Sequence, residues 1–124
     1  MTDIKQIEKT IKTYFESMHE SSAEKALKAF HPSAKISGYM QDGLAEMSVN
    51  DFAKLVGGNL PSPEEKGESV RLDILSIDIA GNTALARVRD DYLGMTFLDS
   101  LSLLKVDENW RIYNKLFHVE GPAG

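Results

Sequence analysis

Cysteine is absent, so disulfides and thiolate chemistry are excluded and a reducing compartment is permitted. Positive charge is scarce as well. Fourteen Lys and Arg stand against 19 Asp and Glu, leaving a formal net charge of −5. The first 30 residues balance five acids against five bases, so there is no basic arm or stripe. This argues against nucleic-acid binding by phosphate neutralisation. No apolar run approaches the ~20 residues that a membrane span needs. The opening Met-Thr-Asp-Ile-Lys-Gln has no apolar signal-peptide core. The chain therefore reads as cytoplasmic, with no membrane partner. Its three histidines are scattered, without the short spacing of a zinc site. It has no phosphate-cradling glycine loop, no Gly-x-Ser-x-Gly elbow and no zinc-protease helix motif. Neither a metal nor a cofactor is expected.

What is present suits one folded unit. The 124 residues, 42% hydrophobic and 27% charged, can build a packed core. The expected domain covers residues 1–120, with 121–124 as a frayed tail.

Ile4, Ile7, Ile11, Tyr14, Phe15 and Met18 recur at helical spacing, which predicts a first helix from Asp3 to His19. Asp3 with Gln6, and Ser21 with Glu24, read as capping boxes. The second helix is short and ends at His31-Pro32. His19 and His31 then complement helix C-termini. Ile36–Met40 and Leu44–Met47 read as strands around an Asp42-Gly43 turn. Ser48 and Asp51 begin a third helix, which Gly57-Gly58 ends. Asn59–Gly67 reads as a loop.

From Glu68 the pattern alternates. Val70, Leu72 and Ile74 share one parity, and Leu75, Ile77 and Ile79 share the other. A bulge near Ile74-Leu75 keeps both sets on one face and bends the strand. Across the Gly81-Asn82 turn, Ile79 then faces Ala84, Ile77 faces Ala86 and Leu75 faces Val88, while Asp78 and Arg87 are placed to pair on the other face. Met95–Val106 and Asn109–Glu120 complete the strands. Segregated helices and strands predict an α+β fold, with N-terminal helices on a strongly bent antiparallel sheet. Such a sheet forms a cone-shaped half-barrel with a cavity at its open end.

Three stretches resemble a known family: Ser76 to Ala86, Phe97 to Lys105, and Asn109-Trp110-Arg111-Ile112-Tyr113-Asn114-Lys115. They are similar to the lumazine-binding-like (SnoaL-like) branch of the nuclear transport factor 2-like superfamily, and Phe30-His31-Pro32 and Gly38 to Gly43 also fit. The resemblance covers nearly the whole chain. It implies the cystatin-like cone. For function it implies a range: isomerases, dehydratases, cyclases and pure binding proteins. Where the family often has glycine, this chain has Glu108-Asn109 at its last turn.

Two-residue turns at Leu93-Gly94 and Asp107-Glu108 fix a register. Val88 pairs with Asp99, Asp90 with Phe97, Phe97 with His118 and Leu101 with Asn114. Asp90, Asp99 and His118 then surround Phe97 on the inner face. Trp110, Ile112 and Leu116 share that face. Two carboxylates in an apolar pocket repel, so one ionises reluctantly and can move protons near neutral pH. Asp99 or Asp90 is the candidate general base, with His118 or Tyr92 assisting. Tyr92, Phe97, Asn114 and Trp110 are candidate ligand contacts, and Tyr14 and Phe52 are candidate roof residues. The alternative is that both carboxylates sit in water at the cone mouth.

On the outer face Leu98, Leu104, Val106, Tyr113, Phe117 and Val119 alternate with Ser100, Ser102, Arg111 and Lys115. So apolar a face predicts a two-fold homodimer. Three functions follow: a module binding a small organic ligand, a SnoaL-like enzyme with a carboxylate base, or an accessory subunit whose sheet docks another protein.

Overall fold

The computed structural model describes residues 2–124. Helix α1 (Asp3–His19) forms where the apolar spacing places it. Ile7, Ile11, Tyr14, Phe15 and Met18 are its buried face. Its cap is not Asp3: the Thr2 hydroxyl accepts from the Lys5 N–H at 3.3 Å. That frees the Asp3 carboxylate to accept from Trp110 Nε1 and Lys105 Nζ, both at 3.0 Å. Helix α2 (Ala23–Ala29) is capped by Ser22, one residue later than the Ser21 box predicts. Helix α3 (Val49–Gly57) starts at Ser48 as expected, with the Asp51 N–H donating to its hydroxyl.

The strands are β1 (Phe30–Met40), β2 (Gly43–Ser48), β3 (Leu72–Ala80), β4 (Thr83–Tyr92), β5 (Met95–Val106) and β6 (Asn109–Pro122). β1 begins at Phe30, so His31 lies in a strand and not at a helix end. Its ring meets Tyr113 at 5.2 Å. The six strands form one sheet in the order β2-β1-β6-β5-β4-β3. Neighbours are antiparallel except β1 and β6, which run parallel. The last strand runs on past Glu120, and the Ala123 N–H donates to the Gly94 carbonyl at 2.9 Å.

Of the register shifts in the sheet, those in β3 and in the middle of β6 decide which side chains around the site face the helices. In β3, Ile74 pairs with Val88 and Ser76 with Arg87. Leu75 is the extra residue and is 47% exposed, so Ile74, not Leu75, lies opposite Val88. In β6, Ile112 pairs with Leu103 but Asn114 with Ser102, leaving Tyr113 as the extra residue. A bulge puts two residues against one, bends the strand and reverses the parity of all that follows. These bends curl the sheet around α1. Inside lies the core, including Ile7, Ile11, Phe30, Val88, Leu101 and Ile112.

The outer face changes with the register. Lys115, Phe117 and Val119 turn toward the helices, while Leu116 comes out and is 56% exposed. The outer face carries Leu85, Leu98, Leu104 and Leu116 among polar residues. Arg89 pairs there with Glu120, its Nε donating to Oε1 at 2.6 Å. Among the described residues Asp78 and Arg87 form no ion pair.

Candidate functional site

The β4–β5 hairpin has the register that its Leu93-Gly94 turn predicts: Asp90 pairs with Phe97, and Val88 with Asp99. Both turn residues have positive φ, 54° and 73°, which gives the tight, twisted connection. Asp90 and Asp99 are therefore diagonal neighbours on the inner face. They are 1% and 0% exposed, so neither sits in water at the mouth.

Tyr14 reaches them from α1. Its ring packs edge-on against Phe30 at 5.6 Å and tilted against Phe52 at 6.3 Å. Its hydroxyl donates to Asp99 Oδ2 at 2.6 Å and lies 3.4 Å from Asp90 Oδ2. Burial, and then the two carboxylates, push the Tyr14 phenol well above its ordinary value, so it remains a donor.

Asp90 is held well above the usual carboxylate range. Burial is the main cause, followed by the charge of Asp99 and the close approach of its side chain. The Lys115 charge and the Tyr14 hydroxyl oppose this. The Tyr14 phenol thus bridges the two carboxyl groups. Each carboxyl keeps one buried oxygen, Oδ1, that no donor among the described residues reaches. Buried polar atoms are seldom left so.

Above this cluster is a cavity of about 140 Å³. Its walls are mainly apolar, with Met18, Ile36, Met47, Phe52, Phe97 and Phe117 among them, and the half-exposed Leu55 and Leu93 at the rim. Three polar side chains line it: Asp90, Tyr92 and Lys115. Burial raises the Tyr92 hydroxyl, with the Asn59 side chain opposing. Lys115 is 5% exposed. Its Nζ lies 4.6 Å from the Tyr14 ring centroid, 4.9 Å from Phe52 and 5.8 Å from Phe117.

Of the residues singled out from sequence, Asp90, Tyr92, Phe97 and Phe52 line the cavity, and Asp99 and Tyr14 lie directly beneath it. His118 does not join them. The Tyr113 bulge pairs it with Leu98 and turns it to the exposed outer face, and Asn114 turns outward with it. Trp110 is buried but serves α1, donating to Asp3 from outside the cavity lining. Lys115 is the residue that sequence reading missed. Its signal was the parity change in β6, from Trp110 and Ile112 to Phe117 and Val119, the same pattern that reveals the β3 bulge. Among the described residues, no group of three His, Asp or Glu is arranged to hold a metal, and no helix is long and apolar enough to cross a membrane.

The family model described as "Putative lumazine-binding" matches residues 2–118. A curated relative, "Aldolase FrzH" of Cladobotryum sp, is 26% identical over 105 residues, spanning 85% of this chain and 82% of its own. A nuclear transport factor 2-like protein of Methylobacillus flagellatus is 33% identical, with a TM-score of 0.84 over 96% of this chain and 93% of that one. Another from Silicibacter pomeroyi, 22% identical, shares the fold at a TM-score of 0.85 over 97% of this chain and all of its own. On the strength of the match over residues 2–118, the chain belongs to the lumazine-binding-like family of the nuclear transport factor 2-like superfamily.

Proposed function

We propose that the cavity takes a small carbonyl-bearing organic molecule and that Asp90 moves protons on it. The observation behind this reading is the buried Asp90–Asp99–Tyr14 cluster, with two carboxylate oxygens that no donor among the described residues satisfies. A purely structural pair of carboxylates is expected to have its oxygens bonded, because leaving them bare is costly. A carboxyl group that keeps its proton in apolar surroundings can donate to a carbonyl oxygen. Once ionised, it can accept a proton from the adjacent carbon. Asp90 lines the ligand space, while Asp99 and Tyr14 position it from below. The relative described as an aldolase supports this class, since aldol chemistry starts by removing a proton next to a carbonyl. An apolar cavity of about 150 Å³ accepts a benzene-sized molecule, which sets the size of the ligand.

The test is α-hydrogen exchange. Ketones and aldehydes of benzene size are incubated with the protein in D2O and followed by NMR. Catalysed exchange that falls by roughly 10²–10⁴-fold in Asp90→Asn supports the reading. If Asp90→Asn and Asp99→Asn leave exchange unchanged, proton transfer is removed from the site. A thermal shift by the same compounds would then leave a binding module alone.

A second reading concerns the outer sheet face. Leu85 and Leu116, 63% and 56% exposed, lie one strand to either side of β5 with Leu98 and Leu104. We propose that this face pairs with a second copy about a two-fold axis.

A further inference from the structure

Lys115 is placed as a structural lysine would not be. It sits in the middle of β6, its Cα opposite Leu101 on one side and Ile36 on the other. Burying an ammonium costs several kcal/mol and is ordinarily offset by a carboxylate in contact. Among the described residues no carboxylate lies within 4.0 Å of Lys115 Nζ, and it makes no hydrogen bond. Three aromatic ring centroids lie within 5.8 Å of it, and its charge is felt by Asp90. Its hydrogens are committed to no acceptor, and the side chain lines the cavity beside Asp90. The other lysines are exposed or half-exposed.

We infer that Lys115 is a covalent attachment point, whose amine condenses with the carbonyl of an aldehyde or ketone in the cavity to give a protonated imine. The inference rests on the reading of that cavity as a carbonyl site. The step balances. The nitrogen forms a bond to the carbonyl carbon, the carbon–oxygen bond breaks, and water leaves. Both hydrogens that depart from the ammonium end on that water, and the net charge stays at +1. Asp90, which lines the same cavity, can pass these hydrogens from nitrogen to the departing oxygen. The iminium is a cation like the ammonium it replaces, so the rings of Tyr14 and Phe52 attract both. A buried lysine in an apolar pocket is a recurrent form of amine nucleophile.

The test is reductive trapping on the full chain. Benzaldehyde and cyclohexanone serve as probes, sodium borohydride supplies the hydride, and the product is read by intact mass and peptide mapping. One adduct per chain is expected, on the peptide that contains Lys115. It is lost in Lys115→Met and in Lys115→Arg, and forms at least tenfold more slowly in Asp90→Asn. Mapping the adduct on the unaltered chain needs no variant to fold. Label spread over exposed lysines and unchanged by Lys115→Met, or no label at all, overturns the inference. A chain that catalyses α-hydrogen exchange without labelling Lys115 sinks the covalent step alone. A Lys115 adduct on a chain without exchange sinks the proton-transfer reading alone.

Discussion

Asp90 keeps its proton above the ordinary 3.8 because it is buried beside a second carboxylate. On unfolding that proton is released, so the folded state binds more protons between the ordinary value and the raised one. Stability therefore falls as pH rises through that window. Asp90→Asn removes this titration and gives Asp99 an amide donor. The variant should melt at a higher temperature than the parent, by a margin that widens as pH rises above the ordinary 3.8. Melting curves across that range check it, and a constant margin would contradict it. Tyr14→Phe has the opposite effect. It keeps the packing on Phe30 and Phe52 but strips Asp99 of its 2.6 Å donor. A hydrogen bond to a charged group is worth about 1.5–3 kcal/mol, and urea unfolding should show a loss of that size.

At the scale of the strands, the cavity depends on a close approach between β1 and β6. Gly38 pairs with Phe117, and a Cβ at position 38 would meet both the carbonyl and the ring of Phe117. Gly38→Ala should therefore cost about 1–3 kcal/mol and displace a wall of the cavity. The urea midpoint and probe binding should drop together. The β5–β6 turn carries strain of another kind, since Asp107 and Glu108 have φ of 50° and 67°. Glu108→Gly should stabilise the fold by about 0.5–1 kcal/mol, because glycine reaches this region without a Cβ penalty.

These elements also show what the sequence could disclose. The α1 limits, the Ser48 cap and the β4–β5 register were legible because helical spacing, a short polar cap and a two-residue turn are local signals. The β6 register was not. Alternation counted from the Asp107-Glu108 turn holds only to Ile112, and the extra residue at Tyr113 exchanges His118 for Lys115. In β3 the parity change falls within a run of apolar residues and shows, whereas in β6 polar Asn114 and Lys115 stand at the change and hide it. The capping of α1 failed for a related reason. Asp3 is a good cap by composition, but Trp110 and Lys105, distant in sequence, claim its carboxylate.

At the scale of the molecule, the exposed leucines on the outer face lead to an association test. If that face pairs with a second copy, light scattering at micromolar concentration should return twice the chain mass, and Leu116→Asp should return it to one. A wild-type monomer under those conditions contradicts the pairing. The sheet order carries a different consequence, for synthesis. β6, made last of the strands, lies between β1 and β5, and the Thr10 hydroxyl donates to the Trp110 carbonyl across 100 positions of the chain. Before β6 is made, β1 and β5 each lack the neighbour they pair with, and an unpaired strand edge invites mispairing. Translation thus delivers Lys115 to Asp90 only as its final strand zips between β1 and β5.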